Sequence, residues 1–266
     1  MASSSSFRTR EADLGTLDAQ VLLVALLAAG MLLAAFGYAA VGHGGASAYL
    51  AAMALAGIAP AHMRPVALLL NVLVASIATY KFWRAGHFRW RLFWPFAAVS
   101  IPFAYAGGAI SLPGGAYKTL VGLVLLYAAW QLWRSGGKGD EMRPLREPPI
   151  LAAMAIGAAM GLLAGLTGVG GGIFLSPLLL MLGWAGTKQT SAVAAPFILV
   201  NSIAGLAAIA IAGSASLPGY VGVLAPAVLL GGWLGAEYGS RRFANPVVRR
   251  VLAVVLALAG VKMILV

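Results

Sequence analysis

Long stretches without charge constrain this chain more than any other feature. Val21 to Val41 holds no charged residue, and Val66 to Tyr80, Pro149 to Leu166, Val193 to Ala212 and Val251 to Val266 hold at most one each. A helix that crosses the hydrocarbon of a bilayer needs about 20 apolar residues in a row. The stretches therefore predict a polytopic membrane protein built from helices. Composition leaves them no other use: 61% of the residues are hydrophobic and 9% are charged, where a soluble domain carries about 25% charged residues.

Several classes are excluded on the same grounds. The chain has no cysteine, so it has no disulfide, thiolate metal site or cysteine nucleophile. Three scattered histidines do not assemble a metal site, and no cofactor is expected. A net charge of +11 would point to nucleic acid in a soluble protein. Here the basic residues stand in short loops beside apolar spans, so membrane orientation accounts for them. No nucleic-acid partner is expected. Residues 1–15, with Arg8, Arg10, Glu11 and Asp13, read as a disordered tail. The apolar run after them is long for a cleavable signal core.

Apolar segments are expected near 17–42, 44–58, 62–82, 92–111 and 116–133, then near 149–167, 170–184, 190–212, 219–239 and 246–266. Between them lies a polar linker, GGKGDEMRPLREP, whose Gly, Pro and mixed charge mark a break. The chain divides into a first membrane repeat (16–134), a linker (135–148) and a second repeat (149–266). Gly37, Val41, Gly42 and Gly44 keep the same spacing as Gly165, Val169, Gly170 and Gly172, and Asn71 and Asn201 hold similar places in the third segment of each half. Five crossings per copy invert the second copy relative to the first, the plan of many secondary transporters. The expected fold is all-α, with two inverted repeats of about five helical segments each, including short Gly-broken segments.

Alternate loops test this layout. One set holds Lys81, Arg84, Arg89, Arg91, Arg134, Lys138, Arg143, Arg146, Lys188, Arg241, Arg242, Arg249 and Arg250; the other, with the N-terminal tail, holds Arg8, Arg10, Arg64 and Lys118. The rich set is expected in the cytoplasm. Both termini then lie outside a cytoplasmic (inner) membrane and the linker lies inside. Trp83, Trp90, Trp94, Trp130 and Trp133 fall at span ends and read as an aromatic belt.

The chemistry is expected at the glycine runs. In GLLAGLTGVGGGIFLSPLLLMLG, Gly161 to Gly183, the run Gly170, Gly171, Gly172 breaks a helix, and the 14 residues to Gly183 reach about 21 Å, short of the hydrocarbon's roughly 30 Å. The first half repeats the feature at Gly42 to Gly45. A short, Gly-interrupted segment in both halves is the best sequence pointer to a transport site. Helix N-termini carry free N–H groups and partial positive charge, so two of them aimed at one cavity favour an anion. Ser47, Asn71, Thr167, Thr190, Ser191 and Asn201 supply hydroxyl and amide groups nearby. The glycines have a second reading, close helix packing, and the two are compatible. His43, inside the first break, reads equally as a substrate or proton ligand and as a packing residue. Arg64 reads as an anion attractor at the entrance or as an interfacial marker. Glu237, the one acid within an expected span, reads as a functional carboxylate or as an ion-pair partner of nearby Arg241 and Arg242.

AGLTGVGGGIFLSPLLLMLG, followed by KQTSAVAAPFILVNSIAGL, resembles the second-half signature of the TauE/SafE sulfite-exporter family of membrane permeases. Gly165, Gly168, Gly170, Gly171, Gly172, Pro177, Thr190 and Ser191 match it. The resemblance spans nearly the whole chain in length and layout. The first half departs from it, with GHGG in place of the longer glycine run, Tyr49 where the proline would fall, and no Thr-Ser pair near Ala61. The resemblance implies a permease for small inorganic or organic anions, either sulfur oxyanions such as sulfite or sulfonates such as sulfoacetate, with coupling to protons or the membrane potential. The alternative is a passive anion channel or accessory membrane subunit. An enzyme is not expected, because the chain has no HExxH, no serine with a clear histidine partner and no pair of intramembrane acids.

Overall fold

A computed structural model describes residues 3–134, 146–241 and 246–265, with side chains described for 21–134, 146–240, 250 and 252–265. Within them run α1 (Ser3–Ala39), α2 (Ala46–Leu55), α3 (Pro60–Arg84), α4 (Trp90–Ala109), α5 (Gly114–Arg134), α6 (Ile150–Thr167), α7 (Gly172–Met181), α8 (Thr187–Ile211), α9 (Val221–Arg241) and α10 (Pro246–Leu265). No strand occurs among the described residues. Six helical stretches are long and apolar enough to cross a membrane: Val21–Ala39, Pro60–Arg84, Trp90–Ala109, Ile150–Thr167, Thr187–Ile211 and Val221–Ser240. The protein is an all-helical, multi-pass membrane protein. Its lipid-facing surface is apolar, and Trp83, Trp90, Trp94, Trp130 and Trp133 are all exposed.

Each element occurs within a few residues of its expected place. Two differences carry information. The backbone of α1 is helical from Ser3, through most of the stretch read as a disordered tail; the segment contains neither proline nor a glycine before Gly15 to interrupt a helix. The short segments are also shorter than expected. α2 and α7 have 10 residues each, about 15 Å of helix, or half the hydrocarbon. The linker residues 135–145 lie outside the described residues.

The packing pairs helices across the two halves. α1 packs on α9 and α4 on α6; α3 and α8 cross each other at the centre, and α5 lies along α10. Glycine sets two of these contacts. Gly157, Gly161 and Gly165 of α6 come so close to the carbonyls of Phe96, Ser100 and Ala104 of α4 that a Cβ would overlap them. Gly231, Gly235 and Gly239 of α9 do the same against Leu32 and Phe36 of α1 and Ala40 just after it. Small residues every four positions allow such backbone approach where lipid gives no hydrophobic drive for association.

The short helices run in opposite directions. Gly122 of α5 meets Ile264 and Gly260 of α10, and Leu126, one turn later, meets Gly260, so these helices are antiparallel. The C-terminal ends of α5 and α10 therefore lie at opposite ends of the bundle, and α6 starts at the α5 end, because it runs parallel to α4. α2 finishes at the α10 end, where Lys262 Nζ donates to the Leu55 carbonyl at 2.9 Å. α7 finishes at the other, where Arg146 N–H donates to the Gly183 carbonyl at 3.0 Å.

Candidate functional site

The two helix breaks meet between α3 and α8. Both short helices start at a glycine in the left-handed region, Gly45 (φ 99°) and Gly171 (φ 82°), a conformation that other residues adopt only at a cost of about 1–2 kcal/mol. The chain can thus turn back within the bundle. Broken backbone at this depth exposes N–H and C=O groups that lipid cannot satisfy, so protein groups must do so.

Asn71, buried near the middle of α3, performs most of that task. Its Oδ1 accepts from Ala46 N–H, the first residue of α2, at 3.1 Å. Its Nδ2 donates to the Val169 carbonyl of the second break and to Ser202 Oγ of α8, both at 3.2 Å. One amide therefore ties both breaks and both central helices together. Gly44 and Gly170 make room for it. A Cβ on Gly44 would lie 2.8 Å from Asn71 Cγ, and one on Gly170 would lie 2.5 Å from Asn71 Nδ2.

Around this hub each break is closed by its own neighbours. In the first, Tyr49 OH reaches back to the Gly44 carbonyl at 2.8 Å and Ser47 Oγ donates to Tyr38 OH at 2.9 Å. Val41 O is approached by His43 Nδ1 at 3.0 Å and by Ser191 Oγ at 2.9 Å. Gly42 packs on the Ser191 backbone. In the second, Thr167 Oγ1 donates to Leu163 O at 2.7 Å and accepts from Val169 N–H at 3.3 Å, while Tyr117 OH donates to Thr167 O at 3.2 Å. Gly171 faces Phe197, and Gly172 faces Ile198. Ile198 also lies against Gly44, so it sits beside both helix starts. A pocket remains between the breaks, lined by Tyr38, His43, Ser47, Val169, Ile173 and Ile198 among others, with room for about one water molecule.

The sequence comparisons agree with this architecture. The profile of the family described as Sulfite exporter TauE/SafE matches residues 26–263. The chain belongs to the TauE/SafE family. It is also 39% identical over 240 residues to the probable membrane transporter protein y4hK of Sinorhizobium fredii (strain NBRC 101917 / NGR234), which covers 90% of this chain and 97% of that protein. No solved structure matches. Family and relative together make the chain a membrane transporter.

In this TauE/SafE protein the expected site residues fall into three groups. Gly42, His43, Gly44, Ser47, Asn71, Gly170, Gly171, Gly172 and Ser191 come together at the breaks. Thr167 caps the end of α6 beside them. Thr190 is buried with its Oγ1 unpartnered. Asn201 differs from its expected place. Ile198 stands eleven residues after Thr187, as Asn71 stands eleven after Pro60, so the position of Asn71 is taken in α8 by Ile198. Asn201 lies one turn from Phe197 and Gly205, which face Gly171, Gly165 and Ala104; its fully buried amide has no partner on either atom.

The two charged candidates have other engagements. Arg64 donates to the carbonyls of Gly107 (2.7 Å), Gly108 and Ile110 (2.9 Å). These are groups at the C-terminal end of α4, where a cation complements the helix dipole. Glu237 pairs with Lys81 of α3, whose ammonium also lies 4.1 Å from the centre of the Trp233 ring. Four contributors were not singled out in the sequence. Ser202 bonds the hub, Tyr38 bonds Ser47, Tyr49 bonds the first break and Tyr117 bonds the second. The sequence signal for Tyr49 was its departure from the resembled signature, which has proline there.

Proposed function

We propose that this protein carries small oxyanions, with sulfite and organosulfonates such as sulfoacetate as the substrate class, through the pocket between the starts of α2 and α7. The observation that carries the reading is the meeting of two half-length helix N-termini at Asn71 near the middle of both long central helices. Helix N-termini offer N–H groups and partial positive charge to an anion. Half-helices that meet at the bilayer midplane are the usual setting of a transporter's binding site. Gly42, Gly44, Gly170, Gly171 and Gly172 provide the turns and the close approach. His43, Ser47, Asn71, Thr167, Ser191 and, after rearrangement, Thr190 and Asn201 provide polar groups. Arg64 and Glu237 have structural parts outside the site.

The matching element lengths and cross-half pairings support an inverted-repeat relation between residues 16–134 and 149–266. The loop charges support a cytoplasmic membrane location with the linker inside and both termini outside. A pocket no larger than a water molecule favours a carrier that changes shape over a standing channel. Purified protein in liposomes tests the proposal through uptake of labelled sulfite, sulfoacetate and sulfate, with and without a pH gradient. Saturable uptake that the gradient drives uphill is expected. Vesicles that hold folded protein and take up none of the three would end the substrate assignment.

A further inference from the structure

The two sides of the pocket are closed differently. α3 and α8 run antiparallel, since Asn71 meets Ser202 and Leu68 meets Gly205, so their starts lie at opposite ends of the bundle. Arg64 stands four residues after Pro60 in α3, as Ser191 stands four after Thr187 in α8. Gly168, next to Val169 of the pocket, packs on Arg64; Gly42, next to His43 of the pocket, packs on Ser191. The two residues thus hold equivalent places on opposite sides. Ser191 fastens its side through one hydroxyl, which donates to Val41 O at 2.9 Å.

Arg64 fastens the other side with a guanidinium. Its side chain grades from solvent into the bundle. Nη1, at the exposed end, donates to Ile110 O at 2.9 Å, Nη2 donates to Gly107 O at 2.7 Å and to Gly108 O, and Nε is buried without a partner. These carbonyls belong to the end of α4. Gly107 is wedged there against Leu162 and Gly165 of α6, and Gly108 against Gly205 and Ala208 of α8. One side chain of α3 therefore holds the end of α4 against its neighbours and supports the turn at Gly168. Arg64 precedes Asn71 by seven residues, about 10 Å of helix, so it stands between the hub and the end of the bundle where α3 begins.

Carbonyls and an oxyanion compete for the same donors. An oxyanion brings a full negative charge and two oxygens that fit the planar fork of a guanidinium, so it is the stronger acceptor. We propose that Arg64 is both the latch and the anion-capture residue of the entrance where α3 begins. The arriving oxyanion takes the guanidinium from the carbonyls of Gly107, Gly108 and Ile110, and the released end of α4 opens the way past Gly168 to the pocket. This rests on the reading of the pocket as an anion site. In the closed arrangement the carbonyls occupy the guanidinium, and in the open one the anion does. That difference in affinity is what lets an anion shift the equilibrium between them. The equivalent place on the other side holds a neutral hydroxyl, so Arg64 acts on one entrance.

The absence of cysteine from the chain makes the latch accessible to experiment. Val169→Cys places a single thiol in the pocket lining beside Gly168. A membrane-impermeant thiol reagent, applied to vesicles of either orientation, reads access to it from each face. Adding Arg64→Gln is expected to speed labelling about tenfold from the face where α3 begins and to leave the other face within about twofold. Arg64→Lys keeps the charge, but an ammonium lacks the fork that spans three carbonyls, and labelling is expected to be nearly as fast. Uptake of labelled sulfoacetate by the cysteine-free protein supplies the second reading. Arg64→Gln is expected to raise KM about tenfold for entry from the face where α3 begins, against less than about twofold from the other face, and Arg64→Lys to restore most of that loss. Equal labelling of the wild type and both variants overturns the latch, and so does a change that is the same from both faces, the mark of a helix cap alone. Fast labelling with an unchanged KM in Arg64→Gln overturns the capture. Arg64→Lys carries the labelling test by itself where Arg64→Gln does not fold. Failure of the wild type to take up sulfoacetate from either face removes the anion site itself, and the capture with it.

Discussion

The two helix breaks have nearly the same backbone and different chemistry. Each ends a long helix, turns at glycines in the left-handed region and starts a helix of 10 residues. The first break carries its own polar groups: His43, Ser47 and Tyr49 lie within or just after it, and Tyr38 just before. The second carries three consecutive glycines; Thr167, just before them, bonds Val169 N–H, and its other polar partners, Asn71 and Tyr117, come from outside, while Phe197 and Ile198 wall it. Any anion held between them would therefore meet side-chain chemistry mainly from the first half and bare backbone mainly from the second. The difference fits the sequence resemblance, which is clearer in the second half than in the first. Bare backbone permits only glycine, whereas polar side chains can be arranged in several ways.

The largest expected effect comes from removing what the breaks share. Asn71→Leu leaves Ala46 N–H, Val169 C=O and Ser202 Oγ without their partner, and each unsatisfied buried group costs about 1–3 kcal/mol. Even a total of about 3 kcal/mol corresponds to roughly a hundredfold change in the population of the closed arrangement. Transport in liposomes is expected to fall by about that factor, with a lower melting temperature in detergent. A variant with wild-type transport and melting would mean that the breaks are held independently.

The second prediction separates the breaks. Gly44 stands two residues before α2 and Gly172 is the first residue of α7, and neither lies in the left-handed region. A methyl at Gly44 would press on the Asn71 amide, which is pinned by three hydrogen bonds; a methyl at Gly172 would press on the side chain of Ile198, which has χ freedom and no bonds to lose. Gly44→Ala is expected to destabilise by about 2–3 kcal/mol, counting overpacking and a strained hydrogen bond, and Gly172→Ala by about 1 kcal/mol. Thermal unfolding of the two variants side by side gives the order. Equal losses would show that crowding alone matters and that the polar hub has no special rigidity.

The sequence made the fold legible because membrane helices announce themselves by length, and the breaks because glycine runs inside apolar segments have few other uses. The element order and the meeting of Gly42, Gly44, Gly170 and Asn71 were readable from those signals. What stayed hidden was register. Asn201 and Asn71 looked equivalent by order along the chain, but a helix advances about 100° per residue. A shift of three residues puts Asn201 on a different face and gives the central position to Ile198. Ser202, the actual partner of Asn71, was masked by its more conspicuous neighbour. Arg64 was hidden for another reason. Its partners are backbone carbonyls 43 to 46 residues away, and no side-chain pattern records them.

The smallest expected effect lies at Glu237, where the sequence favoured an interfacial ion pair with Arg241 and Arg242 over a functional carboxylate. It pairs with Lys81 near the ends of α3 and α9, partly open to solvent at 17% and 31% exposure; neither residue lines the pocket, and the side chains of Arg241 and Arg242 lie outside the described residues. Half-exposed pairs of this kind contribute about 0–1 kcal/mol. Glu237→Gln keeps a hydrogen-bond acceptor for Lys81 and removes only the charge. Its transport KM is expected to stay within about twofold of the wild type, a change of less than about 0.5 kcal/mol, at every pH tested. A loss of accumulation in this variant would place the carboxylate in the transport path, and the chemical difference between the two breaks would then not carry the selectivity alone.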